Sequence, residues 1–424
     1  MTTACRTCAP GPPAGREDEP APDTADGDGD WPQRLAEAVT AADAPDAVFA
    51  VSRHGRRTVV TGGTGPSPGR PRDRLRYEIG SATKAYTGLL LAHLVDSGLL
   101  TGGEPAAALL GARRPPGRTP VTLAHLMTHT AGLPALPAGF YPRALPAWRT
   151  NPYGRYPDAR VVDAFLRHRS RHRPGTRWHY SNFGVAVLGH ALGAATGTDW
   201  QDLLTRHLLD PLALHDTAPH PADGLDAVGH GKDGTGTLPA FDAGGFRAAG
   251  AVRATPHDLL TFLEAHLGPD RCPPLTGALR AVRTPVLRRG FGHRHVHTVA
   301  WFRHPTDGGP LYFHSGATLG QQAFLGFRPD TGTALAAVCT RRFRSNDPFV
   351  STAYALLAEQ RQRNGTAPAG GRRSADRRRR RVRRVRQIFC QSAGVPAGAH
   401  APCAWWVCRH WYVTPSRVTV APAS

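Results

Sequence analysis

A helix that is apolar most of the way round is best buried between two layers, and residues Ala82 to Ser97 form such a segment. Leu89, Leu90, Leu91, Leu94 and Val95 leave no polar stripe wide enough to face water, and Gly98 follows as a stop. Whatever fold the chain adopts must therefore cover this helix from both sides.

Material for one layer is found at both ends of the chain. Ala47 to Ser52 and Arg57 to Gly62 are β-prone runs separated by His54 and Gly55, which read as a hairpin, and Leu75 to Ile79 reads as a third strand. Strand character returns at His297 to Phe302, Leu311 to His314, Gln321 to Phe327 and Thr333 to Thr340. Helices are expected near Pro32 to Ala42, Phe183 to Ala194, Trp200 to Leu209, Pro256 to Leu267 and Pro348 to Gln362, with start signals such as Thr122 before Leu123 and Thr255 before Pro256. Strands at both ends of a helical middle imply one split α+β domain over residues 31–363. In it, 31–118 and 288–363 build an antiparallel sheet flanked by helices, 119–287 is an inserted helical lobe, and the active site lies at the junction. Residues 1–30 have almost no large apolar side chain and are expected to be disordered. The same is expected of residues 364–424, which are rich in Gly, Ala and Arg.

The net charge of +20 suggests a nucleic-acid partner until it is located. Much of it sits in the C-terminal tail, in the run Arg377 to Arg386 ahead of Trp405, Trp406, Trp411 and Tyr412, where no recognition fold accompanies it. We therefore expect no specific nucleic-acid function, and a nucleic-acid-associated protein acting through this tail is the alternative. The chain has no run of apolar residues long enough to span a bilayer and no secretory leader, so a soluble, cytoplasmic protein is expected. Five of the seven cysteines lie in the tails, which argues against a disulfide framework.

Of the 52 basic residues only Lys84 and Lys232 are lysine. Where a surface cation suffices, this chain uses arginine, so a lysine marks a position where arginine would fail. A proton acceptor is such a position, because arginine stays protonated at any ordinary pH. Lys84 stands three residues after Ser81 at the start of the apolar helix, which places hydroxyl and amine on one face, one turn apart. The free N–H groups and positive dipole end of the helix would stabilise an oxyanion beside Ser81. An ordinary N-cap serine is the plainer reading of the same residue.

Two further groups of residues weigh against the plainer reading. Tyr180-Ser181-Asn182 stands just before a helix, and His314-Ser315-Gly316 ends a strand, followed by Ala317 and a turn at Gly320. Together with Ser81-Ala82-Thr83-Lys84 they resemble the Ser-x-x-Lys, Ser-Asp-Asn and Lys-Thr-Gly motifs of the serine β-lactamase and penicillin-binding-protein superfamily. The Tyr-x-Asn form of the second motif and histidine in the third resemble the class C β-lactamase and D,D-peptidase branch with its esterase relatives. The likeness extends over about residues 31–362, through Tyr77-Glu78-Ile79-Gly80-Ser81, Leu126 to Pro134, Pro174-Gly175 and Pro211 to Leu214.

The resemblance implies a β-lactamase/transpeptidase-like fold and a serine hydrolase acting through a covalent acyl-enzyme on a small ester, amide, D-amino acid peptide or β-lactam. Ser81 would attack the carbonyl, Lys84 and Tyr180 would share the proton work, and Asn182 would hold Lys84 or a substrate amide. Backbone N–H groups of Ser81 and Ala317 would form the oxyanion hole, with His314, Ser315 and Gly316 lining the substrate edge. Neither a metal nor an organic cofactor is expected. A penicillin- or peptide-binding sensor without turnover is the second alternative. Histidine at 314, only partly charged near neutral pH, argues against recognition of a substrate carboxylate.

Other signals carry less. His293, His295 and His297 alternate as on one strand face and could ligate a metal, but no carboxylate is placed beside them. His125 and His129 lack the glutamate of a zinc-protease motif and read as structural. Cys5 with Cys8, and Cys403 with Cys408 and His410, form at most a weak zinc signal.

Overall fold

The computed structural model describes residues 30–112, 119–170, 172–289, 295–306 and 308–359. Expectations for the two tails, Asp30 aside, fall outside this set, as do the tail cysteines and His293.

Apart from the one at Leu75 to Ile79, the strands expected at the two ends of the chain join one antiparallel sheet of eight. β1 (Ala47–Arg53) and β2 (Arg56–Gly62) form the hairpin, and β1 pairs on its other side with β13 (Thr333–Cys339), Ala47 opposite Cys339. The sheet continues through β12 (Gln322–Arg328), β11 (Gly309–Ala317), β10 (Phe302–Thr306), β9 (His295–His297) and β8 (Leu287–Arg289). Alternation sorts the side chains by face. Val48, Ala50, Leu325, Phe327, Ala336 and Val338 face the larger core, while Phe49, Val51, Phe324, Leu335 and Ala337 pack under the helices Trp31–Ala42 and Phe349–Ala358.

The apolar helix, Thr83–Asp96, lies where its composition demands, with eleven of its fourteen residues buried. Tyr86 stacks on Phe262 of the helix Pro256–Leu267, with ring centroids 3.9 Å apart. The absence of a side chain at Gly88 lets the helix approach the loop before β10, since a Cβ there would come within 2.8 Å of Ala300 Cβ.

Three local readings need correction. The run His297 to Phe302 is two strands, because Thr298 folds the chain into a turn, its Oγ1 accepting from Trp301 N at 2.9 Å. The strand expected at Leu75 to Ile79 shrinks to β3 (Tyr77–Glu78). The helix at Trp200 is α-helical only to Leu204 and widens into a π-turn over Thr205–Leu209.

Residues 119–287 are not wholly helical. β4 (Thr217–Ala218) and β7 (Arg253–Ala254) extend β3 into a three-stranded ribbon, and β5 (Gly229–His230) pairs with β6 (Thr237–Leu238). The ribbon ties the middle of the chain to the segment that carries Ser81. Among the described residues no helix is long and apolar enough to cross a membrane.

Candidate active site

β3 leads through Gly80 into a tight turn, and φ of +49° at Gly80 is a left-handed conformation that disfavours any side chain. The helix that follows takes Ala82 as its cap, with no side-chain capping bond, so Ser81 is not an ordinary N-cap. Its Oγ instead lies 3.1 Å from Lys84 Nζ. Lys84 is fully buried and donates to the Ala249 carbonyl at 2.8 Å. Thr83 and Thr87 point the same way: Thr83 Oγ1 accepts from Val252 N at 3.0 Å and Thr87 Oγ1 donates to Ala248 O at 2.7 Å. Three polar side chains thus fasten this face of the helix to the backbone of residues 248–252. Lys84 consequently has a fixed orientation toward Ser81, and Ala249 is a partner that no local pattern announces.

The second motif arrives from the other side. Lys84 Nζ lies 5.1 Å from the centroid of the buried Tyr180 ring. Ser181 caps the helix Asn182–Thr196, its Oγ accepting from Gly184 N at 2.8 Å and donating to Pro134 O at 2.6 Å. His129, in a left-handed conformation at φ +60°, takes Ser181 N on its Nδ1 at 3.3 Å and His179 N on its carbonyl at 2.9 Å. Its ring lies 4.5 Å from that of Tyr180. His129 therefore holds the extended segment that presents Tyr180. His125 serves the preceding turn, exchanging bonds with Thr122 in a capping box.

Asn182 departs from one of its two expected roles. Its Nδ2 donates to Tyr153 OH at 3.3 Å, and its Oδ1 is buried without a hydrogen-bond partner, so it does not hold Lys84. The Ala249 carbonyl occupies that place instead. A buried acceptor left open costs stability unless an incoming donor meets it. Tyr153 was not legible in the Pro134 to Arg155 loop. Its ring packs among Phe140, Phe241 and Phe246, with centroids 5.1 to 5.6 Å away, as an aromatic wall beside Asn182.

The third motif closes the site by direct backbone contact. A Cβ on Gly316 would fall 2.6 Å from Ser81 N, and one on Gly80 would fall 2.7 Å from Ala317 N. Neither glycine can carry a side chain, and their absence brings the N–H-bearing segments at Ser81 and Ala317 together. Ser315 and Ala317 are half-buried on the last turnward stretch of β11.

His314 corrects the expectation of partial charge. It is buried, its Nδ1 lies 2.8 Å from the Ser315 carbonyl, and burial together with the nearby Lys84 pushes its pKa down to about 3. A carbonyl only accepts, so Nδ1 carries the proton and Nε2 is left as an acceptor. The edge where a lysine would be cationic is thus neutral at physiological pH.

His297 is buried between Trp178 and Phe302, with centroids 5.1 and 4.7 Å away. Among the described residues no group of three or more His, Cys, Asp or Glu is arranged to hold a metal ion.

The profile of the β-lactamase family matches residues 32–360. Penicillin-binding protein 4 of Amycolatopsis lactamdurans is 31% identical over 314 residues, covering 67% of this chain and 76% of that protein. A β-lactamase of Pseudomonas fluorescens is 24% identical over 318 residues, covering 68% of this chain and 85% of its own. Among solved structures, the class C β-lactamase of Rhodobacter sphaeroides superimposes with a TM-score of 0.64 at 19% identity, over 77% of this chain and 97% of that one. The α+β fold is that of the class C enzymes, and the chain belongs to the β-lactamase family of serine hydrolases and penicillin-binding proteins.

Proposed function

We propose that the protein is an acyl-transfer hydrolase in which Ser81 forms a covalent acyl-enzyme with a small ester or amide whose recognised edge is uncharged. The observation that carries this reading is the buried Lys84 amine fixed 3.1 Å from the Ser81 hydroxyl by the Ala249 carbonyl. In its amine form Lys84 donates an N–H to that carbonyl and turns its lone pair to the hydroxyl. The Ser81 proton passes to Lys84 as Oγ bonds to the substrate carbonyl carbon. The same proton then returns, by way of Lys84 and Tyr180, to the departing oxygen or nitrogen. Water reverses the sequence and frees the acid. The N–H groups of Ser81 and Ala317 meet the oxyanion, and the open Oδ1 of Asn182 accepts from a substrate amide.

Neutral His314 supports the choice of an uncharged edge. An imidazole acceptor repels a carboxylate, so the carboxylate of penicillins, cephalosporins and D,D-peptides finds no cation from the third motif. The test is a panel of p-nitrophenyl esters, D-alanyl-D-alanine peptides and cephalosporins, run on the parent and on Ser81→Ala. Neutral esters should turn over fastest, and only in the parent. A preference for carboxylate-bearing substrates would overturn the assignment of substrate class. Equal turnover by Ser81→Ala would overturn the nucleophile, and a stoichiometric burst with no steady state would make the protein a binder.

A further inference from the structure

Below the nucleophile turn lies a polar knot that the reaction as described does not use. Glu78, on β3 and 5% exposed, accepts from Thr318 Oγ1 at 2.6 Å through one carboxylate oxygen. Its other oxygen accepts from Phe241 N at 2.7 Å and Arg253 Nη2 at 3.3 Å. The backbone N of Glu78 donates to Gln321 Oε1 at 2.9 Å, and Gln321 N donates to Thr318 Oγ1 at 3.2 Å. Arg253, buried at 1% exposure, also pairs with Asp226 at 3.2 Å. A buried carboxylate so surrounded by donors is no general base. Replacing a buried ion pair as a whole by apolar residues is often harmless to stability, so the retention of the Glu78–Arg253 pair calls for another reason.

Its position supplies one. Glu78 stands two residues before Gly80 and Thr318 one residue after Ala317, so the bond between them bridges the two segments whose N–H groups would meet the oxyanion. The side chains removed at Gly80 and Gly316 bring those segments together, but contact alone does not fix how far one slides past the other. A carboxylate gripping a hydroxyl on the far side, with Gln321 closing the loop to the same hydroxyl, does fix it.

We propose that Glu78 and Thr318 are positioning residues, a clamp that sets the spacing of the oxyanion-hole donors at Ser81 and Ala317. The inference rests on the acyl-enzyme reading above. The clamp acts on the tetrahedral state far more than on the bound substrate, because only there does charge develop between the two donors.

The test uses the full chain, p-nitrophenyl butyrate as acyl donor and phenylboronic acid as a tetrahedral mimic. Thr318→Val keeps the shape of the side chain and removes the hydroxyl. It should lower the single-turnover acylation rate about 10- to 100-fold, the cost of a misplacement of about 1 Å, and weaken boronate binding by a similar factor. KM should change little, Tm should fall by a few degrees because the Glu78 carboxylate loses a donor, and Thr318→Ser should recover rate, boronate affinity and Tm. Parental rates in Thr318→Val would overturn the clamp alone. So would a loss that follows a lowered Tm and is not recovered by serine. A parent with no Ser81-dependent acylation would overturn the functional reading, and the clamp with it.

Discussion

The two faces of the eight-stranded sheet are covered in opposite chemical styles. On the outer face, Phe49, Val51, Phe324 and Leu335 meet Leu35, Val39, Phe349 and Leu357 of the terminal helices in an apolar cluster, with the buried Arg328 donating to the Ala358 carbonyl at its edge. On the inner side the sheet is covered by the helix Pro256–Leu267, and the helix Thr83–Asp96 beyond it is equally buried yet carries Thr83, Lys84 and Thr87, each satisfied by the backbone of residues 248–252. The outer face contributes folding free energy by burying area, roughly 25 cal/mol per Å². The inner face holds polar groups in fixed places, which stabilises little and orients much. Function and stability should therefore separate by face.

The largest expected effect tests the inner face. Ser81→Ala should abolish labelling by a fluorophosphonate and lower turnover by about 10⁴-fold or more, with an unchanged Tm. Next, Lys84→Arg should be nearly as damaging as Lys84→Ala, each by about 10²- to 10⁴-fold in kcat, because arginine keeps the charge but cannot take the proton. An active arginine variant would remove the proposed role of Lys84.

The outer face should behave in the reverse manner. Phe49 is fully buried and meets Phe349 edge-on, with centroids 5.5 Å apart. Phe49→Ala should cost about 3–5 kcal/mol of stability in urea unfolding while kcat/KM of the folded fraction stays at the parental value. A lost kcat/KM in still-folded protein would show that the faces are coupled.

Smaller effects follow from two buried histidines. Burial drives the pKa of His314 down to about 3 and that of His266 to about 4. Both folded values lie below the ordinary histidine value of about 6.5, so the unfolded chain binds protons that the native one refuses. Their contribution is complete above about pH 6.5 and declines as pH falls toward the folded values, by up to about 1.4 kcal/mol per pH unit for each ring. Urea midpoints from pH 8 to 4 check the slope, and histidine NMR should find His314 neutral throughout. The smallest expected change is Tyr153→Phe, which frees Asn182 from one neutral hydrogen bond. It should alter KM for amides by a factor of about 5, the equivalent of about 1 kcal/mol.

What could be read from the sequence was local. The helix after Ser81 was legible because its apolar residues leave no wet face, and the hairpin because two β-prone runs flank His54-Gly55. The three motifs were legible because each is a short phrase, and the structure brings them around one space. Glu78, by contrast, depends on residues 241, 253, 318 and 321, which share no period or spacing. The same holds for Ala249, whose contribution is a carbonyl that any residue could offer. The neutrality of His314 was misjudged because burial is a tertiary property, and a histidine in sequence carries only its ordinary pKa.

The pairing of β1 with β13 also governs how the chain is made. The strand opposite Ala47 ends at Cys339, so at about 5–20 residues per second a ribosome leaves the N-terminal hairpin without its partner for roughly 15–60 s. During that interval Ala47–Arg53 is an open, apolar edge, and the helix Thr83–Asp96 waits for the later helices that bury it. Nascent chains stalled before Thr333 should be captured by chaperones or aggregate, and full-length ones should fold slowly, as non-local strand pairing requires.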